Sequence, residues 1–299
     1  MQAGDIGVIV NPHAAGGRTA KAIPRVTDAL RAFGAPFTLS TTSGPMDAWR
    51  MARDFVEAGA ERVIAVGGDG TFNEVANGLL EASRPIPLGV VAAGTGCDLP
   101  RTLGIPSKSL VDAVTFAATR GPRIIDVGVV TCESGESRHF LNVAGLGFDA
   151  TVAERAARTK LPGPKMSYLA ATAISLINYR NIEVTIETDE DFIETRAVFV
   201  TVANAQFFGG GFNITPMADI TDGKLDLAVI GDLGMVELLR NIPDVYRGKH
   251  TGHPKFTHLT ITRARITSPE RALVQADGEI MGLAPVEFSV KPSAFAVIA

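Results

Sequence analysis

Arg62-Val63-Ile64-Ala65-Val66-Gly67-Gly68-Asp69-Gly70-Thr71 is the stretch on which the reading of the fold turns. Its first half is a short apolar run rich in β-branched residues, the pattern of a strand buried on both faces. Its second half replaces bulk with glycine and ends in a carboxylate and a hydroxyl. Residues 72–82 then have helical spacing, so the stretch is a strand, a glycine turn and a helix in succession. Such a turn is expected to use positive φ and to let backbone N–H groups approach an anion at the amino end of the helix. A carboxylate amid phosphates needs a cation, so Asp69 points to Mg²⁺. The structural alternative is an ordinary strand-to-helix turn with Asp69 as its cap.

The same alternation extends to both sides. Ile6–Val10 is an apolar run closed by Asn11-Pro12, and residues 19–33 place Ile23, Val26 and Leu30 on one helical face. A strand over 36–40, a helix over 45–58 and a strand over Leu88–Ala92 follow. Strands alternating with helices predict a parallel sheet covered on both faces, with ligands beyond the carboxyl ends of the strands. Three loops should therefore meet there: Asn11-Pro12 with Gly16-Gly17-Arg18, the turn Gly67 to Thr71, and Gly94-Thr95-Gly96-Cys97-Asp98. Arg18 or Lys21 would offer positive charge to a phosphate.

Near residue 126 the pattern changes. Strand-like runs follow one another at 138–143, 182–187, 197–203, 224–230, 258–266, 273–276 and 286–290. Only two helical stretches interrupt them, 166–179 and 235–245. The expected architecture is an α/β parallel-sheet domain over 1–127 and a mainly antiparallel β-sandwich domain over 128–285. The tail, 286–299, returns to the first domain.

Composition removes several classes. The net charge is −4, against a general nucleic-acid binder. Cys97 and Cys132 are too few for a disulfide framework or a cysteine zinc site. No apolar run reaches the roughly 20 residues of a membrane span, and no basic leader with a cleavage site precedes the first strand. A cytoplasmic protein, peripheral to the inner membrane face, is the expectation. Two segments are locally basic: 151–180 carries +4 and 240–271 carries +5. Basic stretches of this kind suit transient contact with anionic lipid, although they also suit an ordinary solvated surface.

Taken in order, Asn11-Pro12, Gly67 to Thr71 with Asn73-Glu74, Gly94 to Asp98, Gly209-Gly210-Gly211, Thr215-Pro216, Thr221 to Asp226 and Asp277-Gly278-Glu279 resemble the catalytic domain of diacylglycerol and sphingosine kinases. The resemblance covers essentially the whole chain. The glycine turn alone is shared with NAD kinases and phosphofructokinases, whose fold the first domain should then have; the later motifs discriminate. The resemblance implies that Asn11, Thr42, Gly67, Gly68, Asp69, Gly70, Thr71 and Thr95 bind ATP. It implies that Asp69, Asp98 and Asp126 organise Mg²⁺ and water, and that Glu279 is the general base for a lipid hydroxyl. A primary alcohol is a poor nucleophile, so a positioned carboxylate suits that role. Read without the resemblance, Asp-Gly is equally a hairpin turn.

The resemblance further implies a second, structural Mg²⁺ on Asp222, with carbonyl oxygens of Asp219 and Lys224. This chain has Thr221-Asp222 where the family often has two acids, and an unmetallated hairpin is the competing reading. Cys97 stands where the family usually has Asn, which removes an amide from the loop. The implied activity is transfer of the ATP γ-phosphoryl group to a lipid alcohol, diacylglycerol first, with a sphingoid base or ceramide as alternatives. An NAD kinase and a non-catalytic nucleotide- or lipid-binding regulator are the rivals. The expected partners are a lipid alcohol and a membrane surface, without nucleic acid; a homodimer is compatible with the chain.

Overall fold

The computed structural model describes residues 5–93, 97–106, 109–148, 150–151, 154 and 180–299. The helical stretch expected at 166–179 and most of the basic segment 151–180 lie outside them. The chain divides into two compact units, one of residues 1–125 with 293–299 and one of residues 126–292.

In the first unit, β1 (Ile6–Val10), β2 (Phe37–Thr41), β3 (Arg62–Gly67) and β4 (Leu88–Ala92) form a parallel sheet in the order β2-β1-β3-β4. The chain end joins its edge through a parallel pairing of Val297 with Leu88. Among the described residues five α-helices accompany it: α1 (Arg18–Phe33), α2 (Asp47–Glu57), α3 (Asp69–Leu80), α4 (Asp98–Thr102) and α5 (Leu110–Thr119). Alternation along β1 assigns the layers. Ile6, Val8 and Val10 pack with Val26 and Leu30 of α1 and Ala113, Val114 and Ala117 of α5. On the opposite face Gly7 lies against Phe55 of α2, where an added Cβ would come within 2.7 Å of the ring. α2 and α3 approach so closely that a Cβ on Gly78 would lie 2.3 Å from the Trp49 carbonyl oxygen. Helices thus cover both faces of a parallel sheet, the doubly wound arrangement expected from the alternating pattern.

The second unit is mainly antiparallel. Its strands are β5 (Pro122–Cys132, entering from the first unit), β6 (Ser137–Phe140), β7 (Val143–Gly147), β8 (Ile182–Thr188), β9 (Phe192–Ala203), β10 (Phe207–Phe208), β11 (Phe212–Asn213) and β12 (Leu225–Gly231). They continue as β13 (Phe256–Ile261), β14 (Arg263–Thr267), β15 (Leu273–Ala276), β16 (Glu279–Leu283) and β17 (Val286–Ile298), with one helix, α6 (Met235–Tyr246), between β12 and β13. β9 is the organising strand. Its first half, Phe192 to Ala197, pairs with β8 and alternates between exposed and half-buried residues up to the buried Ala197; its second half pairs with both β7 and β12 and is buried throughout. The core gathers Phe140, Leu146, Ile186, Val200, Leu227 and Phe288.

Several boundaries differ from the sequence reading: residues 138–143 divide between β6 and β7, β9 begins at Phe192, and β17 runs on to Ile298. The run 258–266 is two strands, because the Asp189 carboxylate accepts from the backbone N–H groups of Thr262 and Arg263 at 3.2 and 3.0 Å. Those donors are thereby taken out of the ladder. β13 consequently pairs with β12, while β14 pairs with β8 and β17. α3 begins at Asp69 instead of residue 72, so most of the expected glycine turn is the first turn of a helix.

Candidate active site

In the first unit the strand order reverses between β1 and β3, and in such sheets that crevice is where ligands bind. Residues singled out from the sequence stand on both of its walls. Asn11 follows β1, and its N–H donates to the Val66 carbonyl of β3 at 3.0 Å. Its side-chain Nδ2 donates to Thr71 Oγ1 at 3.0 Å, while its Oδ1 accepts from the His13 N–H at 3.0 Å. Thr42, buried after β2, donates its N–H to Val10 O at 3.0 Å. Asn11, Thr42 and Thr71 therefore share one edge of the sheet.

The glycines work differently from the sequence expectation. Gly67, Gly68 and Gly70 do not adopt positive φ; Gly68 is extended at φ −114° and caps α3. At Gly67 the reason for glycine is space, since a Cβ would fall 2.6 Å from Thr71 Oγ1. The left-handed residues lie in the first loop instead, at Ala15, Gly16 and Gly17. Arg18 opens α1 there, exposed, donating Nε–H to the Ala15 carbonyl at 3.1 Å.

Asp69 Oδ1 accepts from the backbone N–H groups of Asp98 and Leu99 at 2.8 and 3.2 Å. The first carboxylate thus fastens the amino end of α4, and Asp98, buried, pairs with Arg101. Cys97 precedes α4 at φ 55°, ψ 51°, left-handed for a residue with a Cβ. Gly94, Thr95 and Gly96 lie outside the described residues.

The remaining acids belong to the second unit. Asp126, 1% exposed, accepts from the Gly223 N–H through Oδ2 at 2.7 Å and donates its own N–H to Ile220 O at 2.7 Å. Asn204 Nδ2 donates to the carbonyls of Asp126 and Leu141 at 3.1 and 3.0 Å. Asp222 Oδ1 accepts from the Lys224 N–H at 2.9 Å. Burial raises the Asp222 pKa, and the charges of Asp226, Asp219 and Asp126 raise it further against that hydrogen bond. Concentrated negative charge of this kind and hard oxygen donors fit a divalent cation. Among the described residues, however, no three acidic, His or Cys side chains come together as a ligand set. A Mg²⁺ ion would complete its shell with water, carbonyl or phosphate oxygens, as this ion usually does.

Asp277-Gly278 is a tightly specified turn. It joins β15 to β16 with Ala276 opposite Glu279, and φ is 47° at Asp277 and 89° at Gly278, the two positive values of a type I′ hairpin. Asp277 Oδ2 accepts from the Leu141 N–H at 2.8 Å, and Oδ1 accepts from the N–H groups of Asn142 and Val143, each at 3.0 Å. Its own N–H donates to Val143 O at 2.9 Å, and the Gly278 N–H donates to Gln275 Oε1 at 2.8 Å. Glu279, next along, is exposed, and its carboxylate engages no partner among the described residues. Two acids two residues apart thus behave differently: Asp277 is bound into the scaffold, and Glu279 is held out from it. The sequence reading identified Glu279 but gave Asp277 no role. Its partners lie 134 to 136 residues away, and no local pattern points to them.

Residues 142–299 match the family described as YegS C-terminal NAD kinase beta sandwich-like domain, and residues 5–130 match the diacylglycerol kinase catalytic domain. The chain belongs to the diacylglycerol kinase family. It is accordingly an enzyme of the lipid kinase class. A protein named diacylglycerol kinase from Mycobacterium tuberculosis (strain CDC 1551 / Oshkosh) is 29% identical over 99% of this chain and 95% of its own length. One of that name from Bacillus subtilis (strain 168) is 27% identical over 94% and 91%. Among solved structures, a putative diacylglycerol kinase from Bacillus anthracis str. Sterne superposes with a TM-score of 0.79 at 26% identity, covering 100% of this chain and 98% of that one. The mixed architecture read from the sequence, parallel first and antiparallel after, is the architecture of this family.

Proposed function

We propose that this lipid kinase uses ATP and Mg²⁺ to phosphorylate diacylglycerol, giving phosphatidic acid. The observation that carries the reading is the Asp277-Gly278 hairpin, which fixes its first acid to backbone N–H groups and leaves Glu279 exposed, with no partner among the described residues. A kinase acting on an alcohol needs such a base, since the hydroxyl must lose its proton as phosphorus is attacked. The names of the relatives support diacylglycerol as the acceptor.

Asn11, Thr42, the residues from Gly67 to Thr71 and Thr95 hold the nucleotide in the first unit, with phosphates near the amino end of α3. Asp69, Asp98 and Asp126 are the carboxylates that would hold the cation and its water. Mg²⁺, when bound, supplies neutralisation of phosphate charge. Asp222 with the carbonyls of Asp219 and Lys224 would hold a second, structural ion. The second unit receives the lipid, and the protein meets its substrate by touching a membrane surface from the cytoplasm.

Glu279→Gln tests the assignment of the base. Its kcat should fall by at least about 100-fold while ATP affinity stays within about twofold, measured by labelled phosphate transfer and by calorimetric titration. Wild-type kcat in that variant would remove Glu279 from the mechanism.

A further inference from the structure

α6 has no buried residue along its length. It is anchored on one side only, where Leu238 and Val245 pack with Phe208 and Phe256 against buried residues such as Val198 and Ile230. Tyr246 also stacks on Phe212 of β11 at 4.2 Å between ring centroids. Glu237 is tied to Lys255 at 2.9 Å. The opposite side is apolar and open: Met235, Val236 and Leu239 are 42%, 73% and 45% exposed. At 100° per residue these three fall within one stripe.

Arg240 and Arg247 border that stripe, and Lys249 follows the helix. All three are exposed, and none forms a salt bridge among the described residues. An apolar stripe edged by unpaired cations, in a chain of net charge −4, selects among occupants. A second copy docked about a two-fold axis through this face would bring the same cations together. A nucleic acid would gain nothing from the apolar stripe. An anionic bilayer satisfies both, because its headgroups take the cations while its acyl boundary takes the side chains.

We infer that α6 is a membrane-docking element that lies in the plane of an anionic lipid surface, inserting Met235, Val236 and Leu239 with Arg240, Arg247 and Lys249 on headgroups. The inference rests on the lipid-acceptor reading for its purpose but is tested without catalysis. Sucrose-loaded vesicles of phosphatidylcholine, with and without phosphatidylglycerol, are sedimented with the full-length protein in the absence of nucleotide. Wild-type protein should pellet with the anionic vesicles and be released by high salt. Val236→Glu with Leu239→Glu should lower the partition coefficient by about tenfold or more. Arg240→Ala with Arg247→Ala should lower it by about fivefold per cation. Circular dichroism and gel filtration establish that the variants are folded; the Arg pair on the solvated edge keeps the test decisive if the Glu pair misfolds.

Failure of wild-type protein to pellet, or undiminished pelleting of both variants, overturns the inference. So does a dimer in analytical ultracentrifugation that the Glu pair dissociates while vesicle binding stays at background. Wild-type pelleting with the expected losses, but no phosphate transfer to a monodisperse short-chain diacylglycerol, upholds the docking face and overturns the acceptor reading instead.

Discussion

Asp277 shows how much a single side chain can specify. A left-handed φ of 47° is costly for a residue with a Cβ, by roughly 1–2 kcal/mol. Three backbone donors on its carboxylate offset that cost, each such bond to a charged group being worth about 1.5–3 kcal/mol. Asp277→Ala should therefore destabilise the protein by about 2–4 kcal/mol in urea unfolding. Asp277→Asn retains an acceptor but not the charge. Its kcat should drop about tenfold with the KM for ATP unchanged, because Glu279 loses its fixed origin while the nucleotide residues do not. A normal kcat for Asp277→Asn would show that the turn's fastening does not govern the proposed base. At Gly67 the sequence reading expected positive φ, and the structure gives glycine a different reason there. Its neighbour Thr71, four positions on, denies room to a Cβ, and this is visible only once α3 is known to start at Asp69.

At the scale of elements, legibility followed burial. β1 and β4 have the bounds read from sequence, since strands buried on both faces are continuous apolar runs. The split between β13 and β14 was hidden because its cause, Asp189, lies 73 and 74 residues from the N–H groups it removes. α4 and α5 went unread: α4 has only five residues, too short for a helical period to register. α4 also carries a defect that invites repair. Cys97 sits at φ 55° before its first residue, a conformation in which Asn is better tolerated. Cys97→Asn should stabilise the protein by about 0.5–1 kcal/mol, seen as a higher melting temperature. An unchanged or lower melting temperature would show that the thiol's packing outweighs the backbone term.

For the whole molecule, acid sensitivity has an identifiable contributor. His139 of β6 has its pKa lowered from 6.5 to about 4, by burial first and by the Lys291 charge second. Lys291 Nζ lies 2.9 Å from its Nε2, so the imidazole is held neutral. A depressed histidine favours the fold where it is neutral in both states, and the unfolded chain binds the extra proton as pH falls below 6.5. Stability should therefore decline between about pH 6.5 and 4. His139→Gln should flatten the urea midpoint across that window, whereas a slope identical to wild type would exclude His139. His250, buried with its pKa also lowered, adds to the trend in the same direction. The order of parallel and antiparallel parts was legible throughout, because each is written in local periodicity. The partners of Asp69, Asp126 and Asp277 were not, because each carboxylate is satisfied by backbone distant in sequence.

The proposed reaction moves the γ-phosphoryl group of ATP onto the hydroxyl of diacylglycerol. γ-labelled ATP and Mg²⁺, supplied with diacylglycerol and sphingosine in mixed micelles and with NAD in the same buffer, test it in one experiment. Label should appear in phosphatidic acid and be absent from NADP. Label confined to NADP, or ATP binding with transfer to no lipid alcohol, would contradict it.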